Sequence, residues 1–86
     1  MHSFATCAAA RPALNDAAAL FDWGVACLIG DRGVERDPIE AHKWFNLAAL
    51  AGDARGVESR SELADTLSPA EIREAQRRAR RACALN

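Results

Sequence analysis

Tyrosine is absent from this 86-residue sequence, lysine occurs once, and two Trp and three Phe are its only aromatic residues. So few rings leave little to stack on bases, and the formal net charge of −1 rules out a broad polycation. No run of about 18 apolar residues exists, which excludes a helical membrane span. Cys7, Cys27 and Cys83 are odd in number and show no paired spacing. A disulfide framework is therefore not expected, and reduced thiols in a cytoplasm are the simplest reading, with a periplasmic home left open. The short apolar stretch near Met1 has no basic region ahead of it, so a signal peptide is not expected. His2 and His42 are the only histidines and have no metal-ligand spacing, so His42 is expected at the surface or on a helix flank. Gly30 and Gly33 lack the following Lys-Ser/Thr of a phosphate loop. No base and orienting group accompany a cysteine nucleophile. Neither an enzyme nor a cofactor or metal site is expected.

What is abundant is alanine, which supplies 20 of the 43 apolar residues. Alanine loses no side-chain entropy in a helix, and β-branched residues are few, so an all-α fold follows. The large core-formers are scarce: eight Leu, three Val, three Ile, three Phe and two Trp. A chain this short buries only about 60% of its unfolded surface, so its core must pack tightly or be completed by association. Ten Arg against one Lys, beside so much alanine, is the pattern of a GC-rich bacterial genome.

Local punctuation predicts four helices. Residues 1–13 form a flexible lead, and 14–86 a single helical domain. Asn15 or Asp16 caps a first helix that stops at Gly30. Asp37-Pro38 restarts the chain, with Glu40 three residues past the cap, and the second helix ends near Gly52. Asp53 caps a third, shorter helix. Ser68-Pro69-Ala70-Glu71 carries a Ser cap, Pro at the first helical position and the Glu of a capping box. Ile72, Ala75, Ala79, Ala82 and Cys83 then fall on one narrow seam of the fourth helix. Short loops imply antiparallel neighbours.

Ala19, Gly24, Gly33-Val34, Asp37, Ala41, Trp44, Ala48-Ala49 and Gly52, read in order, give the stretch 19–52 a clear resemblance to a Sel-one-like repeat. That family is a relative of the tetratricopeptide repeat with the same helix–turn–helix form. Trp23 stands where the family usually has Leu, Cys27 where it usually has Tyr, and one extra residue lies between Gly30 and Gly33. Periodicity agrees independently: Ala41, Trp44, Phe45, Ala48 and Gly52 share one helix face, whose small residues let the first helix approach. Ala49 belongs to the same set, and Trp23, Gly24 and Cys27 are expected opposite it. A second repeat does not follow, since Gly56, Arg60 and Ser61 stand where its first helix would need Ala, Leu and Gly. Residues 53–85 therefore read as a degenerate half-repeat and a capping helix.

The first helix has an apolar surplus. Ala18, Phe21, Val25, Leu28 and Ile29 form a stripe beyond the side that faces helix two. By resemblance to the repeat family, these positions line a groove for a partner protein, here one that takes apolar side chains or an amphipathic helix. Internal burial and a homodimer contact are the competing readings. On the fourth helix Arg73, Arg77, Arg80 and Arg81 run along one side. They read as a solvated helix end, with an acidic protein as the alternative and nucleic acid disfavoured by the missing aromatics. The functional expectation is thus a protein–protein interaction module, an adaptor or scaffold, with a structural homodimer or an accessory subunit using the Arg face as the alternatives.

Overall fold

The computed structural model describes residues 12–84. Among them are four helices: α1 (Ala17–Ile29), α2 (Pro38–Leu50), α3 (Ala54–Ala64) and α4 (Pro69–Ala84). The expected lead over 1–13 lies almost wholly outside the described residues, as do His2 and Cys7.

Each helix begins where a short polar side chain can satisfy free backbone N–H groups. The Asp16 carboxylate accepts from the Ala19 N–H at 3.2 Å, and Asp37 accepts from Ile39 and Glu40, both at 3.1 Å. Asp53 accepts from the Arg55 N–H at 2.9 Å. At Ser68 the box is reciprocal: the Glu71 N–H donates to Ser68 Oγ, and the Ser68 N–H donates back to Glu71 Oε1. Glu40 does not close the same box at Asp37. Its carboxylate accepts instead from Lys43 and Arg78, while the Asp37 N–H donates to the Cys27 carbonyl and ties the loop to the end of α1.

All three other helices pack on α2. Leu20, Trp23 and Cys27 of α1 meet Ala41, Trp44, Phe45 and Ala48 of α2 in the buried cluster. Gly24 permits that approach, because a Cβ there would stand 2.6 Å from the Phe45 ring. The α2–α3 crossing depends on Gly56, where a Cβ would lie 2.8 Å from the Ala49 nitrogen and the Phe45 carbonyl oxygen. The glycine read as a mark of degeneracy is thus a close-packing residue. Gly52, expected in the core, is exposed with nothing within 4 Å of an added Cβ; it is needed for its φ of 108°, which turns the chain out of α2. Ala49 is half-buried beside that crossing.

On α4 the seam is Ala75 and Ala79, both buried, with Ala82 partly buried against the core. Cys83 was expected on this seam and is exposed instead, one position around the helix from Ala82. Arg78 supplies what the alanines lack. Its guanidinium donates to Glu40 of α2 at 2.9 Å and to Glu74 of its own helix at 2.9 Å, with Asp37 at 3.6 Å. The clamp joins α4 to the start of α2.

Candidate interaction surfaces

Along α1 the five stripe residues separate into two kinds. Phe21, Val25 and Leu28 are half-buried and packed against the core, whereas Ala18 and Ile29 are exposed, Ile29 at 62%. Phe21 turns towards α2, with its ring 5.5 Å from that of Phe45. The Arg55 guanidinium of α3 lies over the same Phe21 ring at 4.3 Å. Asp53 fixes that guanidinium through bonds of 2.7 and 3.1 Å. The Arg55 hydrogen bond in turn holds the Asp53 carboxyl below the usual carboxylate range, against a smaller opposing effect of desolvation. Nothing in the repeat pattern singles out Arg55; its position two residues after the cap Asp53 is the only local signal.

Four of the five α4 arginines are at the surface. Arg73, Arg77, Arg80 and Arg81 are exposed, and of these only Arg77 has a carboxylate partner, Glu74 at 2.6 Å. Glu74 also takes a bond from Arg78, so its carboxyl sits below its ordinary range, chiefly through Arg78 and then Arg77. Arg78 lies off the side that Arg73, Arg77, Arg80 and Arg81 share. Its position three after the buried Ala75 and one before the buried Ala79 directs it to the α2 side.

Polar side chains are also buried inside α2. His42, expected near the surface, is 3% exposed, and Lys43 lies over the Trp44 ring at 4.1 Å while bonded to Glu40 at 2.7 Å. The His42 Nδ1 has no hydrogen-bond partner among the described residues, nor does the Trp44 indole nitrogen. Burial, reinforced by the charge of Arg60, pushes the imidazole below its ordinary value of 6.5. The unfolded chain therefore takes up a proton at a higher pH than the folded one. Stability contributed by neutral His42 is fully present above 6.5 and is lost as pH falls below it. Thermal melts at descending pH should show this decline before the carboxylates titrate, and His42→Asn should flatten it. An unchanged slope in that variant would assign the decline to another group.

Among the described residues no group of three His, Cys, Asp or Glu is placed to hold a metal ion, and no helix is long and apolar enough to cross a membrane. What the geometry offers is surface: the outer side of α1 and the outer side of α4. Comparison with known families gives a match to the Sel1 repeat over residues 17–53, the span that holds α1, the turn, α2 and the cap of α3. No curated protein and no solved structure matches the chain.

Proposed function

We propose, from the Sel1 repeat at residues 17–53 and the protein–protein interactions that such repeats mediate, that this chain is an adaptor holding another protein on the outer face of α1. The observation that carries this reading is the partial burial of that face. Among the described residues Phe21, Val25 and Leu28 are half-buried and packed against the core, and Ile29 is left 62% exposed at the end of the same stripe. Such a strip suits an amphipathic helix that adds its own apolar side chains from outside. The Arg55–Asp53 pair, with its guanidinium over the Phe21 ring, offers a charged border to the strip, as interfaces with an apolar centre and a polar rim have.

A photocrosslinker placed at Ala18, in cells that make the protein, should trap a second protein that is not trapped from Ser61 on the exposed side of α3. Ile29→Glu should then lower the Ala18 adduct about tenfold, because burying an isoleucine contributes about 1.5–3 kcal/mol and 1.4 kcal/mol is a factor of ten. Ile29 is exposed enough for the fold to tolerate the change. Equal adducts from Ala18 and Ser61, or an adduct indifferent to Ile29→Glu, would exclude the α1 face.

A further inference from the structure

Two exposed stripes of opposite charge have the same spacing. Glu58, Glu62 and Asp65 lie on α3 and just past its end, at intervals of four and three residues. Arg73, Arg77 and Arg80 lie on α4 at the same intervals, with Arg81 beside them. Residues spaced in this way share one side of a helix. On α3 that side is opposite the buried Gly56 and Leu63, and on α4 it is opposite the buried Ala75 and Ala79. Both stripes therefore point away from α2.

Neither stripe is satisfied among the described residues. Within those residues Glu58, Glu62, Asp65, Arg73, Arg80 and Arg81 make no side-chain ion pair or hydrogen bond, and of the two stripes Arg77 alone is paired, with Glu74. The two helices reach different parts of α2, α3 through Ala49 and Asn46 and α4 through Glu40 and Asp37, so the stripes do not face each other. We propose that the arginine stripe of α4 docks on the acidic stripe of α3 in a second copy of this chain. A formal net charge of −1 leaves little overall repulsion between copies, while the local fields are opposite and in register. Each molecule in such a contact still offers one free stripe of each sign, so association is head-to-tail and continues past the dimer unless it closes into a ring.

The contact is made of exposed charges, so it is weak and strongly screened. Light scattering on the full chain at high concentration should give a mass above that of the monomer at about 20 mM salt. Raising the salt to about 300 mM, where the screening length falls to a few ångströms, should weaken association tenfold or more. Two charge-reversed variants carry the decisive test. One is Arg73→Glu with Arg80→Glu and Arg81→Glu; the other is Glu58→Arg with Glu62→Arg and Asp65→Arg. Each alone should remain at monomer mass, and an equal mixture should form a heterotypic complex. If either set lost helicity, the neutral Arg73→Gln, Arg80→Gln, Arg81→Gln variant would replace it, and loss of association is again the expected result. A wild-type chain that stays monomeric at low salt would overturn the proposal, and so would variants that self-associate as the wild type does or fail to combine. The α1 face is untouched in all of these variants, so the proposal stands or falls separately from the Ala18 crosslink.

Discussion

Replacing Phe45 with alanine should cost about 3–5 kcal/mol, the range for removing a buried large aromatic side chain. Phe45 is 1% exposed and sits at the point where α1, α2 and α3 converge. Its ring fills the space left open by Gly24 and meets the Phe21 ring, and its carbonyl oxygen lies against Gly56. Small proteins have about 5–15 kcal/mol in total, so the loss takes most of the lower figure. Urea titration followed by circular dichroism should show a midpoint near zero denaturant, or a chain already unfolded in buffer. The same contact gives a check on cause. Gly24→Ala pushes a Cβ into the Phe45 ring, so it should be less harmful when combined with Phe45→Leu than the sum of the two changes. Strict additivity would mean that the ring is not what Gly24 accommodates.

Gly56→Ala should be the most damaging single-methyl change in the chain. The added carbon would be 2.8 Å from two atoms of the α2 backbone, which cannot rotate aside as a side chain can. Overpacking of this kind costs typically about 1–3 kcal/mol, and relief here requires α3 to move off α2 bodily. Gly52→Ala makes the contrast. It meets open space, and its penalty comes only from the left-handed backbone, about 1–2 kcal/mol. A thermal melt separates the two: a lowered midpoint in both variants, but a loss of the Arg55–Phe21 and Arg60–Asn46 contacts in Gly56→Ala alone, read by side-chain NMR shifts. If Gly56→Ala melted as the wild type does, the α2–α3 crossing would be wider than described.

These glycines show how far the sequence is legible. Helix starts could be read because a cap depends on residues within three positions of it, and Asp16, Asp37, Asp53 and Ser68 all accept the expected backbone bonds. The α1–α2 pairing was legible for a similar reason, since Gly24 and the Ala41–Ala48 face recur at helical spacing within one hairpin. Gly52 and Gly56 are four residues apart: Gly52 ends α2 as its place in the sequence predicts but does not join the packed face, whereas Gly56, a departure from the repeat, does the close packing. Which of them meets a neighbouring helix is decided by the angle at which the chain leaves α2, and that angle is set by Gly52 itself. His42 differs from expectation for another reason. A polar residue on a helix flank is expected to reach solvent, whereas this one is 3% exposed and lies within the field of Arg60 on α3. The α1 stripe was found as a stripe, but the twist that turns Phe21 onto Phe45 and under Arg55 is tertiary.

The placement of α2 sets the protein apart from an extended array of repeats. In such an array each unit touches only its neighbours, and the ends can unravel while the middle persists. Here α1, α3 and α4 each lean on one shared helix, as spokes on a hub. Withdrawing α2 leaves no pair of remaining helices with a core between them, so partial structures have little to hold them together. A fold so connected is gained or lost as a whole, and its cooperativity comes from arrangement more than from size.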